Sequence, residues 1–175
     1  MTLERAHARA VALDSRTDKE LGERMFGSPS TLFSEIRAYL YRRSDEIYTK
    51  NEPHGLVQLF NANGSADITL GPMIDKGDTP EHFHFDSGAR LSFALTLRQR
   101  ERGWQLLTFR YHYQLPASRS PEYIRFDLNK ATDPNPLSEP RCHLHPGLEE
   151  VRIPIPLHDP FEILDRIFFV LEKSP

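Results

Sequence analysis

The sequence predicts an α+β fold: a helical N-terminal part, an antiparallel meander of about four or five strands, and a C-terminal amphipathic helix packed on one sheet face. Three patterns support this. A capped helix start stands at Ser28-Pro29, residues 91–128 alternate apolar and polar at a two-residue period, and Asp159-Pro160-Phe161-Glu162 opens a final apolar stripe. A chain of 175 residues suits a single domain with one core. Within it, residues 1–50 form the helical segment and 81–175 the sheet with its helix.

The front holds two predicted helices. The first covers roughly Leu3 to Phe26 with a break near Asp14-Ser15. The second runs from Ser28 to Lys50, with Ser at the cap and Pro in the first turn. Leu32, Phe33, Ile36, Leu40 and Ile47 recur along it at helical spacing, and Tyr39, Tyr41 and Tyr48 add aromatic surface. From Asn51 to Pro80 the pattern is a short strand over His54 to Phe60, a turn at Asn63-Gly64, and loop.

The middle is the more regular part. Leu91, Phe93, Leu95 and Leu97 alternate with Ser92, Ala94, Thr96 and Arg98, and a turn follows over Gln99 to Gly103. The return strand puts Leu107, Phe109, Tyr111, Tyr113 and Leu115 on one face and Thr108, Arg110, His112 and Gln114 on the other. Ile124, Phe126 and Leu128 then alternate with Tyr123, Arg125, Asp127 and Asn129, and Val151, Ile153 and Ile155 suggest one more strand. The closing helix, Pro160 to about Lys173, has a capping box. Its stripe is Phe161, Leu164, Ile167, Phe168 and Leu171, widened by Ile163 and Val170. Laid across the apolar side of the sheet, it leaves the polar side open.

Two His-x-His pairs mark that polar side, His82-Phe83-His84 and His143-Leu144-His145. Alternation along a strand sends both imidazoles of a pair to the same face. Arg110, His112, Arg125, Asp127, His143 and His145 are expected together there, joined by His82 and His84 through the inward parity of Phe83 and Phe85.

Composition narrows the function classes. The charged fraction is 27% and the hydrophobic fraction 38%, typical of a globular domain. No apolar run approaches the roughly 18 residues of a membrane span. The charged start, Met1-Thr2-Leu3-Glu4-Arg5, lacks a secretory pattern, so a cytoplasmic protein is the expectation. Cys142 is the single cysteine, which excludes an internal disulfide and a multi-cysteine zinc site. Net charge is −3, against binding nucleic acid by bulk charge. The window from Ser87 to Lys130 nevertheless holds eight basic residues and only Glu101, Glu122 and Asp127 as acids. That asymmetry marks either an anion site or a solvated face.

Three readings of the polar face stay open. In the first, His143 and His145 share proton transfer on a phosphodiester without any cofactor, and Arg125 and Arg110 stabilise the anion. Asp127 completes that catalytic set, while His112, Tyr113 and Tyr123 bind the ligand, most plausibly RNA. In the second, His82, His84, His143 and His145 ligate a metal such as zinc, since histidines at i and i+2 on a strand can reach one ion. In the third, the chain is an interaction subunit without catalysis, docking an acidic partner through Arg98 to Arg102.

The stretch from Leu91 to Leu171 also carries a family likeness. Two strands lead to Ile124-Arg125-Phe126-Asp127-Leu128-Asn129, then His143-Leu144-His145-Pro146-Gly147, then a Pro-led helix. This order resembles the small TumE-type toxins of bacterial toxin–antitoxin pairs, over a little under half of the chain. Arg125, Asp127, His143 and His145 are the positions that match; Leu128 departs from the adjacent Asp-Asn of that pattern. The resemblance implies an RNA-directed toxin activity. It casts the N-terminal helices as a segment that meets a cognate antitoxin or a larger complex.

Overall fold

The long β-hairpin at the centre follows directly from the alternating sequence. In the computed structural model, which describes residues 3–23, 25–43, 45, 47–48, 57–61, 67–72, 82–129 and 140–172, strand β6 (Arg90–Arg100) turns through Glu101-Arg102 into β7 (Gly103–Gln114). The pair stays in antiparallel register from Arg90↔Gln114 to Arg100↔Gly103, with one irregularity after Thr96. Strand β8 (Tyr123–Leu128) pairs with β7, β9 (Cys142–His145) with β8, and β10 (Ile153–Pro154) with β9.

On the other side, β6 is long enough to serve two neighbours. β4 (Asp67–Pro72) takes its Leu95–Arg98 half and β5 (Phe83–Phe85) its Arg90–Leu91 end. Behind them lie β3 (Val57–Asn61) on β4 and β2 (Ile47–Tyr48) on β5. β7 likewise takes β1 (Met25–Phe26) at its start. The described residues thus form one antiparallel sheet of ten strands rather than four or five. The extra strands are two to six residues long, too short for periodicity to reveal.

Three helices complete the fold, and none is long and apolar enough to cross a membrane among the described residues. Helix α1 (Leu3–Glu23) runs unbroken through Asp14-Ser15. Helix α2 (Pro29–Tyr41) starts as the sequence predicts, with the Ser28 side chain accepting the Thr31 N–H. It stops at Tyr41, earlier than expected, and Ile47 belongs to a strand. Tyr39 turns inward and Tyr41 faces solvent. Helix α3 (Pro160–Asp165) has the predicted capping box and continues as a π-helical stretch over Arg166–Leu171. The wider turn there changes which side chains face the sheet, so Val170, expected to extend the apolar stripe, is exposed. The Asn63-Gly64 turn and His54 lie outside the described residues.

The core lies on the apolar face of the sheet. Phe93 stacks between Phe83 and Tyr111, with ring centroids 5.8 and 5.3 Å away. Leu32, Ile36 and Leu40 of α2 and Ile163, Leu164, Ile167 and Phe168 of the closing helix are fully buried in the same cluster. Tyr39 joins the two helices, its hydroxyl donating to Asp165 at 2.8 Å and its ring edge-on to Phe168 at 5.9 Å. Tyr111 differs from its neighbours because its buried hydroxyl has no hydrogen-bond partner among the described residues.

Two stability outcomes follow. Leu164→Ala and Phe168→Ala should each cost roughly 2–5 kcal/mol, read as a lowered urea midpoint, since each empties a fully buried position. Tyr111→Phe should hold or raise the midpoint, because it removes an unsatisfied buried hydroxyl whose desolvation costs about 1–3 kcal/mol. A marked loss of stability in Tyr111→Phe would show that the hydroxyl has a partner.

Candidate functional site

Register brings the polar residues of three strands into two adjacent rows. Arg110, Asp127 and His143 stand opposite one another across β7, β8 and β9, and His112, Arg125 and His145 form the next row. Residues opposite each other in an antiparallel ladder project to the same face. The alternation read from the sequence therefore places all six as expected.

The face is not open at these rows. His145 is 0% exposed, His143 1%, Asp127 3% and Arg125 8%. Arg141, just ahead of β9 on the same side, ties helix α1 across this end of the sheet. Its backbone N–H donates to Asp14 at 2.9 Å and its side-chain Nε to Asp18 at 2.9 Å. The turn after β9 covers the other end. There Gly147 takes a φ of +82°, and a Cβ at that position would come within 2.5 Å of Pro121 Cβ. Only glycine suits both the backbone and the space.

Two backbone carbonyls orient the imidazoles. His143 Nδ1 lies 2.8 Å from the Pro140 carbonyl and His145 Nδ1 3.2 Å from the Leu148 carbonyl. A carbonyl only accepts, so both Nδ1 atoms carry protons and both Nε2 lone pairs turn inward. The Nε2 atoms are 3.0 Å apart, and Asp127 Oδ2 lies 3.7 Å from that of His143 and 3.4 Å from that of His145. Two ring nitrogens and a carboxylate oxygen thus converge on one point.

Cations and acids brace the triad. Arg125 donates from Nε to Asp127 Oδ2 at 2.7 Å and from Nη2 to His145 Nε2 at 2.9 Å. Its Nη1 and Nη2 also bond both carboxylate oxygens of Glu149, the second at 2.8 Å. Tyr123 donates its hydroxyl to the same Glu149 at 3.0 Å, and Arg110 reaches Asp127 Oδ1 at 3.2 Å. Hydrogen bonding to Arg125 holds the Glu149 carboxyl at about 2. Burial works against the charge on Arg125, but its bonds to Glu149 and Asp127 outweigh that and raise its pKa. Burial also pushes His143 below the usual imidazole value, against the opposing pull of the Pro140 carbonyl and Asp127.

The other expected residues divide. Tyr123 reaches the site through Glu149, and His112 stands beside it with its ring edge-on to Tyr123 at 4.9 Å. Tyr113 does not reach the site. It lies on the apolar face, fully buried, with its hydroxyl on Glu172. His82 and His84 do not share an ion with His143 and His145. β5 is four strand steps from β9, on the order of 19 Å at the usual strand spacing. Cys142 faces the opposite side, bonded to the Pro156 carbonyl at 3.6 Å, and burial pushes its thiol up to about 12.

Sequence reading missed Glu149, whose nearest signal is its place two residues after the Gly147 turn. It also missed the Pro140 and Leu148 carbonyls, which side-chain patterns cannot reveal. The basic window is less unbalanced than its composition suggests, because Arg98 pairs with Asp67 at 2.6 Å and Arg125 with Glu149, both acids from outside the window.

Comparison with family models, with curated proteins and with solved structures gives no match. The likeness to TumE-type toxins accordingly rests on its short motifs.

Acid sensitivity should follow from the histidines. Burial lowers the pKa of His82, His112, His143 and His158 below the ordinary 6.5. The unfolded chain then binds protons first as pH falls through that value, so stability is full above it and declines towards the depressed folded values. Metal-free protein should melt at a lower temperature at pH 5.5 than at pH 7.5. An unchanged or higher melting temperature at pH 5.5 would contradict this.

Proposed function

We propose that Asp127, His143 and His145 hold a divalent transition-metal ion, zinc being the first candidate for this nitrogen and oxygen donor set. The spacing of the three ligand atoms carries the reading. Ligands about 2.0–2.1 Å from a tetrahedral zinc stand about 3.3 Å from one another. The separations of 3.0, 3.4 and 3.7 Å bracket that value. Both histidines also donate their other ring N–H to a backbone carbonyl, the usual outer support of metal-bound imidazole.

Burial favours this reading over the phosphodiester one. Acid–base cleavage of RNA needs imidazoles within hydrogen-bond reach of the strand, whereas these rings are enclosed and suit an ion-sized guest. An ion here would bind β8 to β9 and balance the inward lone pairs. Taking it up requires Arg125 Nη2 to release His145 Nε2, and that N–H donor keeps Glu149 as its partner while Asp127 and Glu149 offset the guanidinium charge. With three protein ligands and little solvent access, the ion serves the fold first.

Metal analysis of untagged protein prepared without chelator tests this. It should show close to one transition-metal ion per chain. Adding zinc to stripped protein should raise the melting temperature by mass action. His143→Ala and His145→Ala should abolish that rise, while His82→Ala and His84→Ala leave it intact. Stripped protein that neither takes up zinc nor changes its melting temperature would remove the reading.

A further inference from the structure

Away from the triad, Arg90 and Arg119 are cations without a bonded acid among the described residues. Arg90 projects from the start of β6 opposite Gln114 of β7 and His84 of β5. Arg119 lies in the loop between β7 and β8. Neither guanidinium makes a hydrogen bond or ion pair among the described residues, in contrast to Arg98, Arg110 and Arg125. Between the two runs a cleft of about 450 Å³, floored by Gln114 and Leu115 and walled by Pro116. Glu122 is the one carboxylate on its rim.

We propose that this cleft binds a phosphate group, with Arg90 and Arg119 as its two guanidinium donors and Gln114 as a neutral third. Two forks that make no internal bond can approach a phosphate from opposite sides, and guanidinium is suited to bidentate contact with it. The volume matches a nucleotide-sized ligand rather than a lone ion. Electrostatics agree with the geometry. Beyond burial, the guanidinium of Arg90 is the largest charge that lowers the pKa of His82. An anion in the cleft relieves that repulsion. The inference stands apart from the metal centre, whose residues contribute nothing to the cleft lining.

Three probes test it at low ionic strength: inorganic phosphate, adenosine 5′-monophosphate, and a short oligoribonucleotide without a terminal phosphate. Arg90→Gln and Arg119→Gln should each weaken binding about tenfold or more, as loss of a charged hydrogen bond does. Arg102→Gln, on the distant hairpin tip, should not. Binding should also raise the His82 pKa in an NMR titration, a readout that metal occupancy does not supply. Binding of phosphate and the monophosphate but not the oligomer identifies a small phosphate monoester as the ligand. Oligomer binding whose salt dependence drops with each lost arginine identifies an RNA backbone. No binding of any probe, or binding that survives both arginine substitutions, overturns the site.

Discussion

The register between β8 and β9 is the constraint on which the polar site depends. Arg125 stands opposite His145 and Asp127 opposite His143. Because side chains alternate with a period of two, a slip of one residue would exchange faces. It would send Leu144 into the charge cluster and the imidazoles into the core. The apolar partners oppose such a slip from the other side. Phe126 faces Leu144, Leu128 faces Cys142, and both rows pack into the core. Core packing thus fixes the site geometry without contributing a ligand atom.

Charge burial is the cost of this arrangement, and the hydrogen-bond network shows how it is met. Arg125 and Asp127 are nearly enclosed, a situation in which an unpaired ion loses several kcal/mol of hydration. Each charge finds opposite partners. Asp127 takes Arg125 and Arg110, while Arg125 takes Asp127 and Glu149. The partners are graded by exposure. Arg110 and Glu149 have side chains 63% and 60% exposed, so the network runs from a dry centre to a wet rim. Such a gradient lets the outer members exchange partners at little cost while the inner pair stays fixed.

Much of this was legible in the sequence, and the reasons for the failures are physical. Alternation in β6 to β9 places Arg110, Arg125, Asp127, His143 and His145 on one face, and the Ser28 cap and the Asp159–Glu162 capping box mark the two later helix starts. Burial of that face was not legible. Arg141 meets Asp14 and Asp18 at this end of the sheet, a contact between residues more than 120 positions apart that no local pattern encodes. Separation of the two His-x-His pairs was hidden for a similar reason. Equal spacing along a strand says nothing about which strands are neighbours. Tyr113 shows the opposite error: its phase was read correctly as apolar, and its hydroxyl was nonetheless assigned to the polar side.

The long reach of the Arg141 contacts also matters during synthesis. Helix α1 is made early, but the arginine that anchors Asp14 and Asp18 follows 127 and 123 residues later. At about 5–20 residues per second, a ribosome takes on the order of ten seconds to supply it. The helix meets β7 sooner, since Gln105 donates to the Leu21 carbonyl at 3.2 Å, so the Arg141 contacts are the later of its two ties. The N-terminal helix is therefore fixed in two stages, first along β7 and then at Asp14 and Asp18.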